Sequence, residues 1–509
     1  MSTPFFQEPS AVVASNGHLP REESSEQAIR RALLAQARRL RIDSHAMSEA
    51  RDWTLAARAE ARVSVCEAML NAFGLATSEG KSFMRLAEAL LRTPDRTTAW
   101  ALLCENLRDA QWQPPITAHR SARLAGALLR GLALLARERE RQLAPFAAPF
   151  VWAARIGVAT AAGQFIVADS VRSALARMQR DSDLRLCSID CLGESARTDV
   201  QARAYLQAYA SAIDELARQP SAFIHSRHGI SIKLSALEPR FGPRFRGTYT
   251  QRLIPRVIQL ARHAATADIG LTIDAEEQDR LESTLDIMAA LIDDPQTRGW
   301  EGLGLAVQAY GVRALHVLHW IASRARHRDR RMTVRLVKGA YWDSEIKRAQ
   351  ERGLAAFPVF TDKRTTDVSY LVAAQRLFEH SGLIYPQFAT HNAVTIAAVR
   401  SLAPRGASFE FQRLHGMGQP LYRAASTAED FPPVRVYAPV GSRADLLAYL
   451  IRRLLENGAN SSFVRHFLDP SVPVETLLEH PIEALSEQTQ HDEATVDDAQ
   501  AVRHRERFA

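Results

Sequence analysis

The stretch "MTVRLVKGAYW", residues 332–342, decides the fold. Its first six residues are rich in apolar and β-branched side chains and read as a strand, which runs out at Gly339. A glycine at that point lets a backbone come close to a ligand. Two cations, Arg335 and Lys338, sit within or just after the run.

Seven further runs share this texture: "LCSIDCLG" (186–193), "GISIKLSA" (229–236), "GLTIDAEE" (270–277), "GLGLAVQAY" (302–310), "PQFATHN" (386–392), "SFEFQRLHGMG" (408–418) and "VRVYAPVG" (434–441). Helical periodicity fills the gaps between them, as in "DRLESTLDIMAALI" and "TDVSYLVAAQRLFE". Continuous apolar strands separated by helices predict a parallel sheet covered by helices. Eight such units suit an α/β protein built on a (βα)8 barrel, a fold of about 250 residues. A doubly wound open sheet is the rival. It would be favoured by a GxGxxG fingerprint after the first strand, and that fingerprint does not occur there. Lys233, Asp274, Gln308, Arg335, Lys338, His391 and Tyr437 fall at or near C-terminal strand ends. Barrel active sites are built on that face, so the pattern points to an enzyme.

The barrel accounts for residues 151–470. Residues 1–25 are polar and irregular and read as disordered. Residues 26–150 are dominated by Ala, Leu and Arg, as in "ALLRGLALLARERERQL", and predict an all-helical N-terminal arm or cap. Residues 471–509 read as a polar tail.

Hydrophobic residues make up 46% of the 509 and charged residues 24%, as in soluble globular proteins. The net charge of +7 comes from 64 basic against 57 acidic residues spread along the chain, so nucleic acid is not an expected partner. The four cysteines form no CxxC pair and read as small buried hydrophobes, so no metal is expected. No basic segment followed by an apolar one opens the chain, and the longest apolar stretch, "VWAARIGVATAAGQFIVA" from Val151, carries Arg155. The expected location is cytoplasmic.

One helix is ambiguous on its residues. "LLAYLIRRLLENGANSS" (446–462) follows the eighth strand, with Ser442 as a candidate N-cap and Gly458 as a candidate C-terminal stop. Tyr449, Arg452, Arg453 and Glu456 fall within an arc of about 100° on one face, and leucines fill the other. That polar face is either solvated or turned over the barrel mouth, where a pair of guanidinium groups could bind a carboxylate.

The motifs "GISIKLSALEPRF", "IDAEEQDRLE", "VRLVKGAYWDSEIKRAQ", "YPQFATHNA", "FEFQRLHGMG" and "YLIRRLLENGANSSFV" resemble the proline dehydrogenase domain of bacterial proline utilisation A proteins. The resemblance runs from about Gln164 to Val464, and more weakly through the helical arm. It implies a distorted (βα)8 barrel with non-covalent FAD. The implied reaction is oxidation of L-proline to Δ1-pyrroline-5-carboxylate by hydride transfer to flavin N5. A membrane quinone is the implied electron acceptor, which leaves room for peripheral contact with the inner face of the cell membrane.

The resemblance also assigns residues. Arg452 and Arg453 would grip the proline carboxylate, with Glu456 orienting them and Lys233 as a further cation. Tyr341, Leu414, Tyr437 and Tyr449 would wall the pocket. Asp274 would hold Lys233 and Tyr437. Arg335 would lie against the flavin N5 region, making Lys233, Asp274, Arg335 and Tyr437 the catalytic set. Gln308, Lys338, Gly339, Ala340, Trp342, Thr361, Thr366, His391 and Asn392 would contact FAD, and Phe463 would lie near its adenine. Tyr437 favours plain proline over a hydroxylated ring. Rival expectations are a dehydrogenase for hydroxyproline or N-methylproline, and an inactive regulatory paralogue.

Two features of the family find no match here. Residues 1–50 show no ribbon-helix-helix pattern, and nothing after the barrel reads as an aldehyde dehydrogenase. The expectation is therefore the dehydrogenase half alone, served by a separate pyrroline-5-carboxylate dehydrogenase.

Overall fold

The computed structural model describes residues 25–60, 165–220, 222–441 and 472–492, with scattered positions between 77 and 152. Eight parallel strands form a closed barrel in sequence order: β1 Cys187–Cys191, β2 Gly229–Ile232, β3 Leu271–Ile273, β4 Leu303–Gln308, β5 Met332–Val337, β6 Ile384–Ala389, β7 Glu410–Leu414 and β8 Val434–Val440. Pairing of β8 with both β7 and β1 closes the ring, with Ser188 beside Tyr437 and Leu414 beside Tyr437.

Among the described residues, three helices lie in the arm before the barrel: α1 Glu26–Ala37, α2 Ser44–Glu60 and α3 Arg96–Arg108. The helices around the barrel are α4 Val171–Met178, α5 Asp199–Ala217, α6 Ile254–Thr266, α7 Leu281–Asp293, α8 Ala314–His327, α9 Trp342–Glu351, α10 Lys363–Glu379, α11 Ala393–Leu402 and α12 Gln419–Ala425. Several start where the sequence supplies a cap. The Thr198 side chain accepts from Gln201 N at 3.2 Å and the Asp362 side chain from Thr365 N at 3.2 Å, each satisfying a donor the helix leaves unpaired.

The strands differ from the expected continuous apolar runs. They alternate. Ile189, Ile230, Ile232, Ile273, Val334, Leu336, Phe388, Phe411 and Val436 face the helices and belong to the main hydrophobic core. The residues between them are polar: Ser188, Asp190, Ser231, Thr272, Thr333, Arg335, Gln387, Glu410, Gln412 and Arg435, all buried. These fill the barrel interior. Arg335 of β5 donates to Ser188 of β1 at 3.1 Å and to Ser231 of β2 at 3.0 Å, and those strands are not its neighbours, so the bonds cross the lumen. Barrel interiors are usually packed with branched apolar side chains. Here hydrogen bonds replace them, because buried polar groups persist only when paired.

The arm is fastened to the barrel. Ile29, Leu33, Leu34 and Ala37 of α1 pack with Phe360, Val368 and Val372, and with Leu485 from the C-terminal segment. Burying each such leucine contributes about 1.5–3 kcal/mol. Trp53 of α2 meets Phe431 edge-on with centroids 6.1 Å apart, and Arg400 of α11 pairs with Glu49 at 2.6 Å. No described helix is long and apolar enough to cross a membrane.

Candidate active site

Lys233, Asp274, Arg335 and Tyr437 come together inside the barrel. Lys233 follows β2 and Asp274 follows β3. Arg335 lies within β5 and Tyr437 within β8, both deeper than the strand ends where the sequence pattern puts them. Asp274 does not cap the next helix. One of its oxygens takes Arg335 Nη1 at 2.7 Å, and the other takes the Tyr437 hydroxyl at 2.6 Å and lies 3.3 Å from Lys233 Nζ. Lys233 Nζ also donates to the Tyr437 oxygen at 3.1 Å.

Asp190 of β1 completes the group, and it was not singled out in the sequence. Its Oδ1 lies 2.6 Å from Lys233 Nζ. Burial alone would lower the Lys233 pKa, but the Asp190 carboxylate, with Tyr437 and Asp274, carries it well above the usual lysine value. The ammonium therefore stays charged. Burial, reinforced by Asp190 and Asp274, likewise holds the Tyr437 phenol well above its usual pKa, so it remains a donor.

Arg335 is held from below. Besides Asp274 and the two serines, it donates through Nε to Gln412 Oε1 at 2.7 Å. Gln412 Nε2 in turn donates to Glu410 at 2.8 Å, which fixes which way the amide points. Ser188, Ser231 and Gln412 were also missed. Their signal was in the sequence: each is a polar residue at an alternate position of an otherwise apolar strand.

Most of the described positions assigned to FAD lie at or just after strand ends: Gln308 ends β4, Lys338 to Ala340 follow β5, and His391 and Asn392 follow β6. The backbone opens at Gly339 with φ of +148°, and a Cβ there would meet the Tyr310 ring at 2.3 Å. Ala340 N donates to Gln308 Oε1 at 3.2 Å, and Gln308 Nε2 to the Glu276 carbonyl at 2.8 Å, tying β4 to the loop after β5. Trp342 is exposed and donates through its indole N–H to the Phe360 carbonyl at 2.8 Å. Lys338 bonds Asp367 of α10, which also takes Lys363 at 2.8 Å. These two lysines hold the Asp367 carboxyl below its usual value against the opposing effect of burial. Thr366 is buried in the first turn of α10.

Thr361 holds an anion already. Its N–H and hydroxyl both bond the Glu26 carboxylate of α1, the N–H at 2.8 Å. Backbone and hydroxyl donors, two lysines and a helix start gather here, with the carboxylates of Glu26, Asp362 and Asp367 now on them; these are the donor types a phosphate-bearing cofactor uses. Gly339 supplies the close backbone approach. Two other positions also have local roles. Asn392 caps α11, accepting from Thr395 N at 2.9 Å. His391 Nε2 accepts the Leu414 N–H at 3.0 Å, which joins the ends of β6 and β7. Leu414 ends β7, and Tyr341 precedes α9 at the rim. Tyr449, Arg452, Arg453, Glu456 and Phe463 lie outside the described residues.

A family model for proline dehydrogenase matches residues 173–466, more than half of the chain and all eight strands. The chain belongs to the proline dehydrogenase family. A second family model, the DNA-binding domain of proline dehydrogenase, matches residues 65–181. That match falls on the helical segment before the barrel, not on residues 1–50, and much of it lies outside the described residues.

Among curated relatives, the bifunctional protein PutA of Salmonella typhimurium is 41% identical over 459 residues, 85% of this chain and 34% of that protein. PutA of Rhizobium meliloti is 41% identical over 465 residues, 87% of this chain and 37% of that protein. The chain thus spans about a third of the length of the curated relatives it matches. A crystal structure of a Bradyrhizobium japonicum proline utilization A mutant superposes with a TM-score of 0.74 and 40% identity. It covers 92% of this chain and 49% of that one.

Proposed function

We propose that this proline dehydrogenase family member oxidises L-proline to Δ1-pyrroline-5-carboxylate with FAD as its cofactor, and that the electrons pass to a membrane quinone. The observation that carries the reading is the interior group Lys233, Asp274, Arg335 and Tyr437, drawn from four strands to one place at the barrel mouth. Lys338, Gly339, Ala340, Trp342, Gln308, Thr361, Thr366, His391 and Asn392 would hold FAD, with Phe463 near its adenine.

The reaction removes a hydride from C5 and a proton from the ring nitrogen, leaving a C=N bond. FAD, when bound, supplies the two-electron acceptor. The chain's own contribution is orientation and electrostatics. Lys233 is a fixed cation, and the substrate carboxylate needs one. Arg452 and Arg453, braced by Glu456, would add a guanidinium fork for the same carboxylate. Asp274 restrains three groups at once: the Arg335 guanidinium, the Tyr437 hydroxyl and the Lys233 ammonium. Tyr437, Tyr449, Tyr341 and Leu414 would wall the ring. The phenol of Tyr437 is tied between Lys233 and Asp274, so it cannot swing aside for a ring hydroxyl. That supports proline over hydroxyproline.

The product is an imine in equilibrium with an aldehyde, so a pyrroline-5-carboxylate dehydrogenase activity is the expected consumer. Anaerobic titration of the purified, FAD-loaded protein with L-proline tests the reading. Stoichiometric loss of flavin absorbance is expected. A flavin that stays oxidised under excess proline, or a protein that takes up no FAD, would sink it.

A further inference from the structure

Asp190 is 1% exposed; it pairs with Lys233 Nζ at 2.6 Å and also meets the Tyr437 hydroxyl. Its second oxygen, Oδ2, is buried and has no hydrogen-bond partner among the described residues. Asp274 is different: it serves Arg335, Tyr437 and Lys233 together. A buried carboxylate that leaves one oxygen without a partner is a poor way to stabilise a barrel. Replacing such pairs with apolar groups is often neutral or stabilising. The outward residues of β1, Cys187, Ile189 and Cys191, pack in the main hydrophobic core as on an ordinary strand. Groups that a fold does not need, and that cost stability, are concentrated where function needs them.

Resting on the proline reading above, we infer that Asp190 is a positioning residue: it fixes the place and the charge of the Lys233 ammonium that meets the substrate carboxylate. The surroundings of Lys233 leave this task to Asp190. Asp190 and Cys191 approach it from β1, Tyr209 from α5, Asp274 from the end of β3, and Tyr437 from β8, with Arg335 of β5 behind Asp274. Tyr209, Tyr437 and Cys191 are all pushed upward by burial and stay neutral. Asp274 already balances Arg335 at 2.7 Å and stands farther from Lys233, at 3.3 Å. Among the described carboxylates, Asp190 therefore stands closest to the Lys233 ammonium and carries no guanidinium of its own. Without it, Lys233 would be a buried cation sharing half a counter-ion, and its ammonium would lose its proton at a lower pH.

The test uses the FAD-loaded full chain, with Asp190→Asn and the charge-restoring Asp190→Glu. The probe is tetrahydrofuran-2-carboxylate, which carries the ring and the carboxylate but no ionisable nitrogen. Its Kd is read from perturbation of the flavin spectrum between neutral and alkaline pH. In the wild type, affinity is expected to be flat across that range. In Asp190→Asn it should be about tenfold weaker at neutral pH and weaken further as pH rises, with a melting temperature equal to or above wild type. Asp190→Glu should recover the flat profile in part. The KM for L-proline should rise in Asp190→Asn with a smaller change in kcat.

An Asp190→Asn protein with the wild-type affinity and profile would overturn the inference. So would a large drop in melting temperature with unchanged affinity, which would make Asp190 structural. If the Asn variant does not fold, Asp190→Ser removes the charge with a smaller side chain. Failure of both to fold also counts against the inference. Wild-type protein that binds FAD but neither reduces it with proline nor binds the probe would instead refute the proposed function.

Discussion

The barrel interior holds two charged clusters, one at each end, and they are built differently. At the N-terminal end, Arg435 of β8 spends all five N–H donors inside the protein. It bonds Glu410 at 2.6 and 3.0 Å and the carbonyls of Cys187, Arg227 and His225 at 3.2, 2.8 and 2.7 Å. Glu410 is fully buried and also accepts from Gln387 and Gln412. His225 stacks on Tyr385 beneath them with centroids 3.7 Å apart. At the C-terminal end, Lys233, Asp190, Asp274 and Tyr437 share fewer bonds among more charges, and Asp190 keeps one oxygen bare. The Arg435 guanidinium is saturated, and the lower cluster plugs the barrel. The upper one keeps charge in reserve, as a site that must still receive a ligand requires. Burial and ion pairing alone do not distinguish a structural cluster from a functional one; a central cation with every donor spent, as at Arg435, marks the structural one.

The largest effect that could break this contrast lies in the plug. Arg435→Met leaves Glu410 buried without its counter-charge and should cost about 3–5 kcal/mol of stability, read as a lower denaturation midpoint. A smaller loss than that from any substitution at the mouth would refute the contrast. Lys233→Ala at the mouth should show the opposite balance. The KM for L-proline should rise about a hundredfold, corresponding to the roughly 2–5 kcal/mol of a truncated buried charge pair, with a smaller fall in melting temperature than Arg435→Met gives. Tyr437→Phe removes only the hydroxyl between Lys233 and Asp274. About a tenfold loss of kcat/KM is expected, in line with the roughly 1–3 kcal/mol of an unmade buried hydrogen bond.

The smallest effect is a pH dependence. Burial, aided by the nearby guanidinium groups of Arg435 and Arg331, pushes His225 down to about 3 from 6.5. The native state therefore binds fewer protons than the unfolded one between those values. The stability this histidine contributes is complete above pH 6.5 and is lost as pH falls toward 3, at up to about 1.4 kcal/mol per pH unit. His225→Phe, which keeps the ring stack, should flatten the acid limb of melting temperature against pH. An unchanged limb would place the acid sensitivity elsewhere, with His228 and His415, both pushed down to about 4, as the next candidates.

Much of this was legible in the sequence, for identifiable reasons. The strands were legible because their outward residues, such as Ile230, Val334 and Phe411, mark each run as apolar. The same residues masked the inner face. Ser188, Asp190, Ser231, Glu410 and Gln412 all lie within the quoted runs, but a lumen that closes on itself has no local signal beyond alternation. Lys233, Asp274, Arg335 and Tyr437 stood out through motif resemblance, and the lumen joins them. The Glu26–Thr361 contact was out of reach, since 335 residues separate its partners and nothing in either neighbourhood announces the other. Asn392 was assigned to the cofactor by resemblance, and its cap on α11 shows that one side chain position can carry a local role as well.

Ring closure through β8 has a consequence for how the chain comes into being. The ladder joins Cys187–Cys191 to Val436–Val440, and Tyr437 is the last of the four interior residues Lys233, Asp274, Arg335 and Tyr437 to be made. During synthesis, a nascent chain that has produced β1 to β7 already holds Lys233 and both aspartates but has an open edge on each side of the gap. Until Tyr437 emerges, no complete site exists to admit a substrate, and the exposed edges of β1 and β7 are vulnerable to pairing with the wrong strand.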